Sequence, residues 1–464
     1  MTIPMPNASS VRLLRRPSLP FVLFCVFLAV LWLAGGAARA NVFGQVVVRL
    51  AAVVSLFVLV LFGDQPVMAR ARPIWWLLFA AIGLAIIQLI PLPPALWQVL
   101  PGRAMFAEAT LGHPQPWRPL ALVPGTAINA LASLLVPLVT LAMVSSIRQD
   151  ERALLPGAIL LMIVAANLLG LLQLSGAGFN NPLINDSVGE MSGIFANRNH
   201  FALLLALGCL LVPAWVFASG NRSRGRAVIG LGLALLFLLT ILASGSRAGL
   251  LLGALALCGG MLVARGSIRR ALRRAPAWAF PALIAAIVAV VGAFVLISVA
   301  ADRAVSIQRI FEISAGQDMR GRALPTVWAM TLGYFPVGTG LGSFDPVFRI
   351  HEPLALLKPT YFNHAHNDLL EIVLDAGLPG LLLLMAALTW WGWASIGAWR
   401  AGTAGTEVAL ARIGSIMLLL MVLASAFDYP ARTPTMMMMI VVAALWLHGD
   451  QPARRSQALP RTER

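Results

Sequence analysis

The sequence predicts an all-α protein that crosses a membrane about twelve times. Hydrophobic residues make up 59% of the 464 residues and charged residues only 11%, which gives too little polar surface for a soluble fold. The apolar residues also occur in segments of about 17–22 residues, long enough to cross a hydrocarbon core of about 30 Å as a helix. The net charge of +16 would suggest nucleic-acid binding in a soluble protein. Here most arginines lie in short loops, where they orient spans in the bilayer, so no nucleic acid is expected.

Twelve apolar segments are predicted to form one integral membrane domain over residues 1–464. The first follows Arg12, Arg15 and Arg16 and superficially imitates a secretory signal. Its apolar run of about twenty residues exceeds the usual length of such a signal, so we predict an uncleaved first helix. The predicted spans are residues 18–38, 43–63, 73–91, 127–147, 153–174, 200–219, 227–243, 247–264, 279–299, 368–389, 411–427 and 433–448.

The arginines between these spans predict the orientation of the protein. Alternate loops and both termini hold 21 of the 34 basic residues in short segments, while the other 13 are spread over longer segments or lie within a span, as Arg49 does. Positive residues concentrate in short cytoplasmic loops. Both termini are therefore predicted to be cytoplasmic.

Three segments on the predicted outer side are long: 92–126, 175–199 and 300–367. The last is a periplasmic loop subregion between the ninth and tenth spans, and connections of that length are usually functional or disordered. We expect it to fold against the membrane surface, with short helices that include one near 322–335. Its aromatic residues are Trp328, Tyr334, Phe335, Phe344, Phe348 and Tyr361.

The strongest candidate for chemistry lies at the start of the tenth span, between Asn363 and Glu371. His366 is a candidate general base, because a neutral imidazole at a water interface accepts a proton near neutral pH. Asp368 and Glu371 have the spacing of a capping box, which would explain these two residues by helix capping alone. His364 and His366 together also fit metal binding, but an H-x-H pair without a third ligand is a weak signal, and no metal is predicted.

Arginines from separate outer segments form a second candidate set. Arg198 precedes the sixth span, Arg247 precedes the eighth, and Arg320 and Arg322 lie in the long loop. A single arginine at the headgroup level would simply meet lipid phosphate. Several on the less basic side suggest a shared anionic ligand, because guanidinium groups bind phosphate oxygens bidentately. Arg198 and Arg247 also lie near helix N-termini, where the backbone favours an anion.

Two weaker patterns lie near these residues. The segment Gly338–Gly342 is similar to a phosphate loop but lacks the lysine and the following helix, so a flexible turn is favoured. Asp428 and Arg432 flank the last outer turn, where an ion pair, helix capping and a surface role are all compatible with the sequence.

A signature region runs through residues 321–380. It contains Gly321-Arg322, Trp328, the segment Gly338–Phe344, His364-Ala365-His366-Asn367-Asp368, Glu371 and Gly377-Leu378-Pro379-Gly380. With this pattern, residues from about 190 to 385 resemble the O-antigen ligase-like family of bacterial membrane glycosyltransferases. That family includes O-antigen ligases, Wzy-type polysaccharide polymerases and some protein oligosaccharyltransferases. After Gly380 the chain has Leu381-Leu382 where ligases often carry threonine or valine, and this departure favours a polymerase slightly.

The resemblance implies a GT-C-like helical fold in the bacterial inner membrane, with its active site facing the periplasm. It implies a metal-independent, inverting glycosyltransferase of lipopolysaccharide or exopolysaccharide biosynthesis. This enzyme would take a glycan from a polyprenyl (undecaprenyl) diphosphate carrier, without a nucleotide sugar or other cofactor. The implied partners are this donor, a glycan or lipid A-core acceptor, the bilayer and other polysaccharide-assembly proteins.

The resemblance also assigns roles to residues. His366 would be the catalytic base that deprotonates the hydroxyl of the acceptor. The residues implied or proposed to bind the diphosphate or the glycan are Arg198, Arg247, Arg322, Arg320, His364 and Asn367.

Three alternatives stay open. A protein O-oligosaccharyltransferase would belong to the same family. A transporter or flippase of a lipid-linked anionic glycan would use the same arginines but would need charges or broken helices in mid-membrane, where the sequence offers little beyond Arg49 and Gln88. A scaffold of an assembly complex would tolerate substitution of the arginines.

Overall fold

The computed structural model describes residues 16–63, 68–109, 112–176, 181–184, 190–218, 224–272, 319–357, 362–402 and 405–449, and the single positions 276, 278, 285 and 289. These residues are predominantly helical. Two strands of two residues each, β1 (Pro91–Leu92) and β2 (Arg118–Pro119), pair antiparallel. The predicted all-α membrane class is confirmed by this helical content and by the apolar helices.

The helices are numbered in chain order. They are α1 (Leu19–Ala34), α2 (Phe43–Phe62), α3 (Arg72–Ile87), α4 (Pro94–Gln98), α5 (Ala104–Glu108), α6 (Pro124–Ser133), α7 (Leu135–Ser146), α8 (Gln149–Arg152), α9 (Leu155–Leu174), α10 (Arg198–Ala218), α11 (Arg224–Ala243), α12 (Arg247–Leu272), α13 (Met319–Tyr334), α14 (Phe344–His351), α15 (Asp368–Arg400), α16 (Thr406–Ser425) and α17 (Pro434–His448). Short 3-10 helices lie at Met68–Ala71, Leu354–Leu356 and Pro430–Arg432.

Helices occupy eleven of the twelve predicted spans. In the described part of the chain, eight helical segments are long and apolar enough to cross a membrane. Helices α1, α3 and α17 are apolar but shorter, with 16, 16 and 15 residues. The ninth predicted span, 279–299, lies outside the described residues except for positions 285 and 289. A total of twelve spans therefore stays a prediction.

Large apolar side chains cover the outside of the bundle. Phe57 is 62% exposed, Trp76 71% and Leu251 76%. Apolar exposure on this scale marks a surface that contacts lipid rather than water. The interior is packed by buried side chains such as Phe201 and Phe237.

Helix ends of the described structure meet in two places that can be compared with the predicted loops. At one end, the amide N–H of Ala196 donates to the carbonyl oxygen of Gly36 at 3.2 Å, and that of Thr435 donates to Gly35 at 3.1 Å. At the other end, Ala71, Arg152 and Glu407 line one cavity. The first group belongs to the loops predicted to be outer and the second to those predicted to be cytoplasmic. Which group faces the periplasm stays a prediction.

The described parts of the long outer loop fold into a compact layer. Helix α13 corresponds to the short helix predicted near 322–335, and its Tyr334 packs with Phe344 and Phe348 of α14 in a separate small core. Trp328 stays 55% exposed, so not every aromatic residue of the loop is buried in this layer. Tyr361 lies outside the described residues.

A kink in α15 attaches this layer to the bundle. Gly377 has φ 57° and ψ −143°, which is accessible to glycine because it has no Cβ, and Pro379 lacks the N–H that would bond the carbonyl of Asp375. That carbonyl instead accepts from the N–H of Gly340 at 2.8 Å and from Nε2 of Gln88 at 3.0 Å. The glycine segment 338–342, called the strap below, therefore binds the kinked helix through its backbone. This contact is a structural explanation for the glycines that are similar to a phosphate loop.

Candidate active site

The outer turns meet around the buried carboxylate of Asp428, in the turn between α16 and α17. Oδ2 of Asp428 accepts from Nδ2 of Asn199 at 2.7 Å and from Nδ2 of Asn197 at 3.1 Å. A guanidinium nitrogen of Arg320 lies 3.5 Å from the same oxygen. Two separate chain segments thus converge on the carboxylate of a third.

His366 completes this group. Its Nδ1 lies 3.1 Å from Oδ1 of Asp428, and its side chain is 15% exposed. A carboxylate at Nδ1 favours the tautomer with the proton on that nitrogen, so Nε2 is the atom that can accept a proton. His366 also has φ 53°, an uncommon left-handed conformation for a residue other than glycine. Such conformations concentrate at functional sites.

The environment keeps Asp428 ionised. Burial alone would raise the pKa of its carboxyl, but the hydrogen bond with His366 and the positive charge of Arg320 hold that pKa well below its ordinary value. The neighbouring phenol behaves in the opposite way, because burial and the charge of Asp428 raise the pKa of Tyr429 to about 12. The site therefore presents a permanent carboxylate beside a neutral tyrosine.

Tyr429 is surrounded by three imidazole rings. Its ring centroid lies 4.4 Å from that of His364, 4.9 Å from His366 and 5.0 Å from His200. His200 is 2% exposed, and its Nε2 lies 3.8 Å from Oδ1 of Asp428. Neither of its ring nitrogens makes a hydrogen bond within the described structure. Buried nitrogens that lack a hydrogen bond often mark a place where a ligand or water binds.

A second histidine–carboxylate pair lies beside the first. Nδ1 of His364 lies 2.9 Å from Oε1 of Glu371, whose other oxygen accepts from the N–H of Ala365 at 2.7 Å. Arg432 also contacts Glu371, at 3.2 Å, together with Asp368 at 2.9 Å and Asp375 at 3.6 Å. These carboxylates recur along one face of α15 and enclose one guanidinium.

Two cavities open beside these residues. The larger has a volume of about 540 Å³ and combines apolar walls from α3 and α15 with His364, Asp368 and Arg432. The smaller, of about 290 Å³, is polar and is lined by Arg198, Arg320, Asn197, Asn199, His200 and Tyr429, among others. Ala38, Arg39 and Asn363 line both cavities, which makes them neighbours. Together they form a site with an apolar half and a polar half.

The structure brings some of the predicted arginines together. Arg198 and Arg320 both line the polar cavity. Arg198 lies 3.0 Å from Glu190. Arg247 is exposed at the start of α12, and Arg322 is exposed and donates to the carbonyl of Ala355 at 2.9 Å. Neither of these last two lines the two cavities.

Two interpretations of the sequence need correction. The capping box of Asp368 and Glu371 is wrong, because Asn367 is the N-cap of α15 and its side chain accepts from the N–H of Leu370. The side-chain oxygen of Asn367 thus caps the helix, and its role in substrate binding stays a prediction. The suggested pair of Asp428 and Arg432 is also wrong, since Asp428 contacts Arg320 and His366 while Arg432 contacts the carboxylates of α15.

The two histidines of the H-x-H pattern do not share a ligand position. His364 is directed to Glu371 and His366 to Asp428. Among the described residues, no group of three or more histidine, cysteine, aspartate or glutamate side chains could hold a metal ion.

Sequence reasoning missed the supporting residues of this site. Ser246 donates to Oδ1 of Asn199 at 2.8 Å, which orients the amide that binds Asp428. Asn199 and Ser246 are adjacent in sequence to Arg198 and Arg247. The polar segments around those arginines were therefore the sequence feature that could have indicated these supporting residues. The role of Asp428 had no local sequence signal, because its partners come from distant segments.

Comparison with known proteins agrees with this architecture. Residues 232–385 match the family model described as O-antigen ligase. The matched region runs from α11 past the kink of α15 and contains His364 and His366. The match supports the resemblance to an O-antigen ligase-like family that the sequence predicted, and with it a ligase- or polymerase-type membrane enzyme. A comparison with curated proteins gives no match.

Proposed function

We propose that the protein is an inverting glycosyltransferase that moves glycan from a polyprenyl diphosphate carrier to an acceptor hydroxyl on the periplasmic side of a bacterial inner membrane. Within this class we favour a polymerase of O-antigen or exopolysaccharide over a ligase. The observation that carries the proposal is the His366–Asp428 pair beside a polar cavity that Arg39, Arg198 and Arg320 line.

His366 acts as the general base. Asp428 holds Nδ1, so Nε2 accepts the proton of the acceptor hydroxyl as its oxygen attacks the anomeric carbon. The bond between that carbon and the phosphate oxygen breaks, and the lipid diphosphate leaves with the electron pair. A single direct displacement inverts the anomeric configuration. Asp428 stabilises the imidazolium that forms.

Arg198 and Arg320 stabilise the leaving diphosphate. Negative charge develops on the phosphate oxygens as the bond breaks, and guanidinium groups fixed nearby favour that charge. Arg320 has a double role, because it also contacts Asp428. Arg247 and Arg322 lie outside both cavities. Their predicted role in binding the diphosphate stays a prediction, which substitution of each residue would test.

The two halves of the site match the two halves of such a donor. The apolar walls of the larger cavity suit an isoprenoid chain, and the polar cavity suits phosphate and sugar. The buried nitrogens of His200 in the polar cavity would gain a partner from a sugar hydroxyl. These observations support a site for an amphiphilic glycolipid.

A transporter of the same lipid is the alternative from another class. The charged groups around Asp428 lie at one end of the bundle, and a transporter would not need the base that His366 provides. Arg49, a charged residue within a span, is satisfied by Asn129 at 2.6 Å and Ser133 at 3.0 Å.

Transfer by the purified protein tests the proposal. The enzyme in lipid nanodiscs is given an undecaprenyl diphosphate-linked glycan and an acceptor, and product is measured by mass spectrometry. Wild-type protein should form product, and His366→Gln should lose transfer while it retains the thermal stability of the wild type. Full transfer by His366→Gln would remove the proposed base.

A further inference from the structure

Helix α13 belongs to the layer outside the bundle, yet its exposed face is apolar. Its buried residues pack with α14 in the small core. Between Ala323 and Pro336 every exposed residue is apolar or glycine. The large side chains of this surface, called the apolar face of α13 below, are those of Leu324, Trp328, Leu332 and Phe335. A face in contact with water would carry polar residues, whereas a helix that is apolar on all sides is typical of a protein core or a membrane.

Both ends of α13 are attached where the lipid-facing surface of the bundle begins. At its start, a guanidinium nitrogen of Arg320 donates to the carbonyl of Phe427 at 3.2 Å, and the side chain of Phe427 is exposed. Just after its end, the carbonyl of Pro336 accepts from the N–H of Leu378 in α15 at 2.8 Å. Leu378 is exposed and is followed one turn later by the exposed Leu382. The apolar face of α13 is therefore continuous with a surface that contacts lipid.

The two attachment points lie at different depths along the bundle. The N–H of Asp368, the first residue of α15, donates to the carbonyl of Asp428 at 3.4 Å, so α15 begins at the level of the site. Leu378 follows Asp368 by ten residues, which corresponds to about 15 Å along a helix axis. The charged residues of α13, Arg320 and Arg322, both lie in its first turn. The helix thus slopes from the charged site towards the middle of the bundle, and its apolar part is the deeper part.

We propose that α13 is embedded in the lipid leaflet on the side of the site, with Trp328 and Leu332 against acyl chains, and that this contact holds Arg320 at Asp428. The partner of the apolar face is thus the hydrocarbon region of the bilayer, into which large apolar side chains transfer favourably from water. Arg320 lies on the same helix, with a guanidinium nitrogen 3.5 Å from Oδ2 of Asp428. The lipid contact does not depend on the proposed function, whereas its effect on transfer rests on that function.

A spin label tests the lipid contact without any measurement of activity. The three native cysteines are replaced by serine, and a nitroxide is attached to Leu332→Cys of the full-length protein in nanodiscs of phosphatidylethanolamine and phosphatidylglycerol. Electron paramagnetic resonance measures collisions with oxygen, which concentrates in lipid, and with a nickel chelate, which stays in water. The label should collide mainly with oxygen, as a label on Leu382→Cys of α15 should. The matched control is Arg349→Cys, at an exposed position of α14, which should collide mainly with the chelate.

Two outcomes of this measurement would overturn the inference. A label on Leu332→Cys that collides mainly with the nickel chelate would show that the apolar face lies in water. Poor access of both reagents would show that protein covers the face, such as a second copy of this chain, because the structure leaves Leu332 61% exposed.

Substitution of Trp328 tests the effect on the site. Trp328→Gln should reduce transfer about tenfold at the thermal stability of the wild type, because a polar side chain weakens the contact with lipid that holds α13 in place. Trp328→Leu keeps an apolar side chain and should retain transfer. Equal transfer by Trp328→Gln and the wild type would overturn the effect on Arg320. A wild type that forms no product would contradict the proposed function instead, and the spin label would still decide the lipid contact.

Discussion

Nδ1 of His366 lies 3.1 Å from Oδ1 of Asp428, across 62 residues of sequence. This contact joins the mouth of α15 to the turn after α16, two of the elements that build the polar cavity. The carboxylate is itself held by two asparagines of the α10 segment. A histidine so oriented is ready to accept a proton at Nε2 without rearrangement, which is the arrangement expected of a catalytic base.

Substitution of the orienting carboxylate should impair turnover more than binding. In Asp428→Asn the imidazole loses its anionic partner, and the tautomer that exposes a basic Nε2 is no longer favoured. We expect kcat to fall by about a hundredfold or more, within the usual contribution of a general base, while KM for the lipid-linked donor changes little. Steady-state transfer over a range of pH measures this. A changed KM with an unchanged kcat and pH profile would show that Asp428 serves substrate binding instead.

The Ser246–Asn199–Asp428 chain should act as a unit. Asn199→Ala removes a donor to Asp428 and should reduce kcat by about tenfold, because a hydrogen bond to a charged group contributes roughly 1.5–3 kcal/mol. In the double variant, Asn199→Ala should lower kcat little below that of Asp428→Asn alone, since both substitutions act on the orientation of His366. Transfer rates of the two single variants and the double variant give the coupling. Fully additive losses would mean that Asn199 acts separately from Asp428.

The sequence predicted most of the helical architecture and only part of this site. Apolar length placed eleven of the twelve predicted spans on helices of the described structure, because bilayer thickness acts locally on the chain. His366 stood out because an ionisable residue at a helix mouth is rare in so apolar a chain. The roles of Asp428 and Arg432 were not predictable, since their partners lie tens to hundreds of residues away. The capping role of Asn367 was also not predicted, because the spacing of Asp368 and Glu371 suggested a different cap.

Loss of Arg432 should destabilise the fold strongly. Arg432→Gln would leave Asp368, Glu371 and Asp375 buried near one another without their cation. Removal of one partner from a buried ion network costs about 3–5 kcal/mol. The matched control is Arg349→Gln, which breaks an exposed pair with Asp345 of a kind that contributes about 0.3–0.5 kcal/mol. Thermal unfolding in detergent should separate the two variants clearly, and equal unfolding temperatures would show that the carboxylates are neutralised by other means.

Asp428 also predicts how stability depends on pH. Its pKa is lowered from the ordinary value of 3.8, so its ionised form stabilises the fold at every pH above that value. The contribution is lost as pH falls below 3.8 towards the pKa of the folded state. As pH falls below about 4 the wild type should therefore lose more stability than Asp428→Asn, which has no carboxyl at this position to protonate. Unfolding temperatures of both proteins at several pH values measure the difference, and parallel curves would contradict the ionised network.

The kink of α15 should tolerate no side chain at Gly377. A Cβ there would lie 2.0 Å from the carbonyl oxygen of Pro336, in a conformation with φ 57° that other residues rarely adopt. In Gly377→Ala the strap at 338–342 and the preceding Pro336 must move, because Gly340 donates to the carbonyl of Asp375 and Pro336 accepts from the N–H of Leu378. We expect a loss of folded protein or of several kcal/mol of stability, together with reduced transfer, since the strap supports the layer above the site. Gly392→Ala is the matched control in the same helix, because nothing lies within 4 Å of its Cβ position, and it should fold and function as the wild type. Expression in membranes, thermal unfolding and transfer of the two variants are compared side by side. Normal folding and transfer by Gly377→Ala would show that the strap does not depend on the glycine at the kink.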